Sequence, residues 1–131
     1  VSYLIDTNIF MHARDGAESV LRKFEQHDGA IVLSALSLAE LQRGLDPKLP
    51  EAIIRRERHG VLMQRIAVIA FDVAAAEAYG RIIAQCGRIK PRDFDHMIAA
   101  HAISERLTLV TDNEADFVGI PGLALENWVA A

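Results

Sequence analysis

The chain has one cysteine, Cys86, in 131 residues. That excludes an intrachain disulfide and any zinc site built on several thiolates. No apolar run approaches the roughly 18 to 20 residues that cross a bilayer, and no basic segment followed by a long apolar one opens the chain. A soluble, cytoplasmic protein with no membrane partner is therefore expected. An excess of base is also missing. With 14 Lys and Arg against 18 Asp and Glu the net charge is -4, which is not the footprint of a passive nucleic-acid binder. An enzyme acting on nucleic acid is not excluded, because carboxylates that hold divalent cations lower the formal charge without repelling phosphate once the metal is bound. Internal repeats, low-complexity tracts and interdomain linkers are absent. The 51% hydrophobic content suits one domain over residues 1–131. Val1 in place of Met fits either a trimmed chain or an alternative start codon.

What is present is an alternation of short apolar runs with helical periodicity. Tyr3-Leu4-Ile5 runs directly into Asp6-Thr7-Asn8, the pattern of a buried parallel strand surfacing at its carboxyl end. Helices are expected over residues 7–14 and 18–27, the second with Val20, Leu21 and Phe24 at helical spacing. A strand follows over 30–33, then a helix over 34–43 with Leu38, Leu41 and Leu45 in its stripe and Gly44 as its stop. Residues 50–65 read as a polar helix carrying Arg55, Arg56, Arg58, His59 and Arg65, a solvated face in preference to a phosphate-tracking one. The remaining expectations are a strand over 68–71, an Ala-rich helix over 73–86 ended by Gly87, a helix over 93–106, a strand over 107–111, a helical turn over 114–117 and a last strand over 123–125. Strands alternating with helices imply right-handed crossovers and a parallel sheet covered on both faces.

Acids recur where such a fold binds ligands, at the carboxyl ends of strands beside the reversal of strand order. They are Asp6, Glu40, Asp95 and the group Asp112, Asn113 and Asp116. Each has a purely structural reading. Asp6 or Thr7 can cap the helix that follows, Ser37 and Glu40 have the spacing of a capping box, and Asp112 and Asp116 suit a turn. Asp93 is the natural cap of its helix. Asp95, two positions on, falls on the opposite side with Ile98 and Ala99, where a buried acid needs a cation. If the first and fourth strands are neighbours, Asp6 and the loop carrying Asp112 and Asp116 meet, with Glu40 and Asp95 approaching from flanking helices. Carboxylates without thiolates suit Mg²⁺, with Mn²⁺ as a substitute. His12, His96 and His101 are read as packing or surface residues.

The segments Leu4 to Asn8, Ser37 to Leu41, Asp95 to Ala100, Thr108 to Asn113, Asp116-Phe117, and Pro121-Gly122-Leu123 with Glu126-Asn127-Trp128 resemble, in order and over nearly the whole chain, the PIN-domain ribonucleases of the VapC toxin type. The resemblance implies an α/β/α sandwich around a mostly parallel sheet of about five strands, and an Mg²⁺-dependent endoribonuclease acting on RNA such as transfer RNA. It further implies a homodimer and a VapB-type antitoxin partner. The family's acidic pocket maps onto Asp6, Glu40 and Asp95, with Asp116 as fourth acid and Asp112 and Asn113 still in play. Asn8 and Thr111 are expected to bond to the carboxylates. Arg14, Arg43, Lys90 and Arg92 are candidates for contacts to the RNA backbone. Two other uses of acids at strand ends fit less well. A receiver-like module would take Asp72 as phosphoacceptor but has no Lys after Leu125, and a dehalogenase-type phosphatase needs an acid where Asn8 stands. A non-catalytic PIN module is the remaining alternative.

Overall fold

The computed structural model describes residues 2–129, so Val1 lies outside the described residues. Five short strands, β1 (Tyr3–Ile5), β2 (Ile31–Ser34), β3 (Ala67–Ile69), β4 (Thr108–Val110) and β5 (Leu125–Glu126), form one sheet in the order β3-β2-β1-β4-β5. Every pairing is parallel. The chain winds outward from β1 in one direction through β2 and β3, and in the other through β4 and β5. Strand order therefore reverses between β1 and β4, where α/β folds open a crevice.

Six helices accompany the sheet: α1 (Thr7–Arg14), α2 (Glu18–Gln26), α3 (Ala35–Gln42), α4 (Ala52–Met63), α5 (Val73–Cys86) and α6 (Asp93–Ser104). Side chains alternate across the pleat, which divides the core in two. Ile5, Leu33 and Val110 pack with Ile9, Phe10, Val20, Phe24, Leu41 and Leu62, so α1 to α4 cover one face. Leu4 and Leu109 pack with Ala78, Ile82, Ile98, Ala99 and Ala102, so α5 and α6 cover the other. At roughly 1.5–3 kcal/mol for each large side chain buried, the two apolar layers hold the strand ends in register. Trp128 is fully buried, stacked 5.6 Å from His27 with its edge toward Tyr3 and its indole N–H donating to Glu126. No described helix is long and apolar enough to cross a membrane.

Several boundaries differ from the sequence expectation. The third strand is 67–69, not 68–71, because Phe71 leaves the ladder and sets its ring at 85° to that of His101. The last strand is Leu125–Glu126, beginning two residues and ending one residue later than 123–125. The helix at 34–43 begins at Ala35, with Ser34 as its cap, and Gly44 does not end the turning. A 3-10 turn over Arg43–Leu45 carries on through it. Asp93 is the first residue of α6 and not its cap. It accepts from the Tyr79 hydroxyl and pairs with Arg88, 2.7 Å away.

Candidate active site

Ile5 of β1 lies opposite Val110 of β4, and the Asp6 N–H donates to the Val110 carbonyl at 2.9 Å. This ladder fixes Asp6 and Thr111 side by side where both strands surface. Asp6 also caps α1: its Oδ1 accepts from the Ile9 N–H at 2.9 Å. The capping role and the placement at the strand ends belong to the same carboxylate, since a cap occupies only one of its oxygens.

Glu40 arrives from α3. The capping box whose spacing Ser37 and Glu40 match, the structural alternative for Glu40, does not form, because Ser34 caps the helix through Leu36 N–H and Ser37 is already inside it. Glu40, half-buried, is thereby left free of the helix start. Asp95 comes from the first turn of α6, its helix held down by Ile98 and Ala99. Asp6, Glu40 and Asp95 line one cleft of about 130 Å³ together with Thr7, Asn8, Phe94, Ile98 and Phe117. Phe94 was not singled out from the sequence. Its half-buried ring gave no signal beyond an apolar residue between two acids.

The loop after β4 borders this cleft. Asp116 is fixed by the Asn113 side-chain amide, 2.6 Å from its Oδ2, and Asn113 in turn is anchored by its backbone N–H to the Thr111 hydroxyl at 3.1 Å. Phe117 is buried and pins the 3-10 turn Glu114–Phe117. Asp112 points its Oδ2 at His12 Nε2, 2.8 Å away, and leaves Oδ1 buried without a partner.

Crowding has the expected electrostatic result. Burial, reinforced by the charges of Asp112 and Asp95, pushes the Asp6 carboxyl up to about 6 against the opposing hydrogen bonds from Thr111 and Ile9. Asp95 is also raised, first by burial and then by the charge of Asp116, with Glu40 adding and Arg92 opposing. Carboxylates that cannot all ionise comfortably without a positive partner are the electrostatic mark of a cation site. The donor set fits a hard divalent ion, since its carboxylates offer only oxygen, with neither thiol nor imidazole on the cleft wall. The Thr7 hydroxyl on the same wall is buried and unpartnered. Among the described residues no three His, Cys, Asp or Glu side chains are gathered into a ready metal-holding group.

The remaining residues singled out from the sequence are dispersed. Arg92 lies beside Asp116, 3.9 Å from its Oδ1 and donating to its carbonyl. Arg43 and Lys90 are exposed and line neither this cleft nor its neighbours. Arg14 is largely buried and bonds Asp15 through Nε and Nη2. His101 bonds the Ser34 hydroxyl in the core at 2.9 Å, His96 is buried, and His12 serves Asp112. Asp72, the acceptor in a receiver-like reading, caps α5 by accepting from Ala75 N–H.

Comparison with known proteins accords with this arrangement. The PIN domain family matches residues 3–122. The chain belongs to the PIN-domain family. Within that family it is 34% identical to Ribonuclease VapC2 of Rickettsia felis, over 96% of this chain and 97% of the relative. It is likewise 34% identical to the tRNA(fMet)-specific endonuclease VapC of Shigella flexneri, over 98% of both. Among solved structures, VapBC2 from Rickettsia felis bound to a promoter DNA fragment superposes with a TM-score of 0.85 at 33% identity, covering 98% of this chain and 99% of that one. DNA-bound VapBC from Salmonella typhimurium gives 0.86 at 28% identity over 98% of each chain. The PIN-domain sheet, read from the sequence as α/β with about five strands, is the one observed.

Proposed function

We propose that this PIN-domain nuclease is an Mg²⁺-dependent endoribonuclease, the toxin of a toxin-antitoxin pair, with transfer RNA as a target. The observation that carries the reading is the convergence of Asp6, Glu40 and Asp95 from a strand end and two helices onto one cleft. The transfer-RNA element draws on the Shigella flexneri relative, named for tRNA(fMet).

Asp6, Asp95 and Glu40 are the residues to hold a divalent ion. Bound there, it supplies the positive charge and the acidified water that phosphodiester hydrolysis requires. The chain's own groups do the positioning. Thr111, bonded to Asp6, favours the ionised carboxylate, and Asn113 holds Asp116 where its charge bears on Asp95. Such supporting bonds fix ligand orientation before any ion arrives. Asn8, exposed on the rim of the cleft, offers an amide to substrate. Phe94, Ile98 and Phe117 supply the apolar part of the lining, against which the charge interactions are stronger than in open solvent. Arg92, next to Asp116, meets the RNA backbone, where a cation positions a phosphate without reading sequence.

A VapB-type antitoxin is the expected partner. Support comes from the solved relatives, which are VapBC assemblies and a toxin-antitoxin complex from Klebsiella pneumoniae at 25% identity and a TM-score of 0.73. A homodimer, the commonest closed assembly, completes the reading and is checked by light scattering. The decisive experiment incubates purified protein with transfer RNA in Mg²⁺ or in EDTA, beside Asp95→Asn. Cleavage that needs Mg²⁺, leaves 5'-phosphate and 3'-hydroxyl ends and vanishes in the variant is expected. Undiminished cleavage by folded Asp95→Asn protein overturns the assignment.

A further inference from the structure

A second cleft of about 120 Å³ adjoins the first and shares two of its walls, Thr7 and Glu40. Beyond that shared wall the chemistry changes sign, because the other polar side chains lining it are Arg14 and Arg55.

Arg14 is prepared for an anion in an unusual way for a surface cation. Its side chain is only 7% exposed, and Asp15 takes its Nε and Nη2, so the guanidinium is held in one orientation with its Nη1 donors left over. Arg55 extends from α4 across Gly44, where an added Cβ would stand 3.6 Å from its Nη1. Thr7 contributes a third donor. It is 5% exposed, and its hydroxyl has no hydrogen-bond partner, an expensive arrangement unless something is to be bound. Nearby, the hydrogen bond from Arg14, helped by the charges of Arg14, Arg55 and Arg58, holds the Asp15 carboxyl below its ordinary range, and burial together with the charges of Arg14 and Arg56 lowers His59. In a chain of net charge -4 this local concentration of base is not explained by composition.

We propose that this cleft is a phosphate subsite. It takes a backbone phosphate of single-stranded RNA next to the one being cut, held by Thr7 Oγ1 and the guanidinium groups of Arg14 and Arg55. The inference rests on the ribonuclease reading and deepens it. Glu40 faces both clefts, so the strand passes from the acidic cleft to the basic one over a single side chain. Substrate is gripped at a point that does no chemistry, which is how binding energy away from the reacting centre sets register.

The test measures binding of a short, mixed-sequence single-stranded RNA to the cleavage-silent Asp6→Asn protein in Ca²⁺, with and without Arg55→Gln, across a salt series. Arg55 is half-buried on the surface of α4, so folding is not at stake, and Arg14→Gln serves as the second variant. Loss of one phosphate contact should weaken binding about threefold and flatten the log-log salt dependence by about 0.7. Unchanged affinity and slope in both variants, with wild-type protein still cleaving RNA, overturns the subsite and leaves the nuclease reading intact. Absence of cleavage by wild type together with absence of RNA binding overturns both. An oligoglutamate peptide is the control ligand. If Arg55→Gln abolishes capture of that peptide while RNA binding is unaffected, the cleft belongs to an acidic protein partner and the proposal fails.

Discussion

Replacing Asp6 with Asn should stabilise the ion-free protein, and the effect should depend on pH in a direction opposite to that of an ordinary salt-bridged carboxylate. In the folded chain Asp6 holds its proton up to about pH 6, whereas its ordinary value is 3.8. Between those limits the folded state binds a proton that the unfolded state has released, so its stability falls as pH rises through the interval. At about 1.36 kcal/mol per pH unit, the interval amounts to about 3 kcal/mol, fully expressed above pH 6 and absent below the unfolded value. Asn keeps the amide oxygen that can accept from Ile9 N–H and removes the charge, so the cap survives and the penalty does not. The assay is urea or thermal unfolding in EDTA from pH 4 to pH 8. The margin of Asp6→Asn over wild type should open from near zero to about 3 kcal/mol and then level off, a shift of about 10 °C in melting temperature at neutral pH. Adding Mg²⁺ should close it by stabilising wild type alone, because an ion that binds only the folded state adds RT ln(1 + [L]/Kd). A margin that stays flat across the range, or narrows as pH rises, refutes the claim that burial and neighbouring acids burden this carboxylate.

Three further outcomes follow from named contacts. Asn113→Ala frees the Asp116 carboxylate from its 2.6 Å bond and should lower RNA cleavage about 10- to 100-fold, as loss of an orienting partner does, while the melting temperature moves little; steady-state kinetics beside a thermal scan separate the two. Ser34→Ala removes at once the cap on Leu36 N–H and the partner of the buried His101 ring. It should destabilise the fold by about 2–3 kcal/mol, and a loss under half of that in urea unfolding argues against a structural role for the pair. Glu40→Gln should weaken Mg²⁺ binding followed by calorimetry without altering the circular dichroism, and unchanged affinity removes Glu40 from the ion's coordination.

The elements most legible in the sequence were those whose ends are written locally. α1 and α5 start and stop where anticipated because Asp6 and Asp72 cap their first turns, and Gly87, at φ 76, closes α5. Strand ends were less legible. Phe71 continues the apolar run of β3 in sequence but packs on His101 in space, and no local rule distinguishes those fates. Ser37 and Glu40 matched a capping pattern, yet Ser34 lies three residues earlier and takes the role first. For the acids, type and order were readable, since each stands beside a strand end or on a helix face with a clear period. Their supports were not. His12 with Asp112 and His101 with Ser34 join residues 100 and 67 positions apart, and Arg55 looked like one of several solvated arginines until α4 laid it over Gly44.

Asp6, Asp95 and the bordering Asp116 are each secured by something other than an ion. Asp6 is held by the α1 cap and the β1–β4 ladder, Asp95 by the buried side of α6, and Asp116 by Asn113 and the anchored ring of Phe117. Because none of these supports depends on charge neutralisation, the backbone delivers the carboxylates to one rim even while their proximity raises the values of Asp6 and Asp95. The resulting strain is electrostatic, and a divalent cation bound there would offset it. Arg92, beside Asp116, offsets part of it at Asp95. Arg14, turned toward Asp15, and Arg55, beyond Glu40, stand one cleft away, so this further positive charge is kept apart from the acids. A substrate that carries regularly spaced phosphates and needs a cation at one of them is matched by that separation, whereas a small uncharged ligand gains nothing from it.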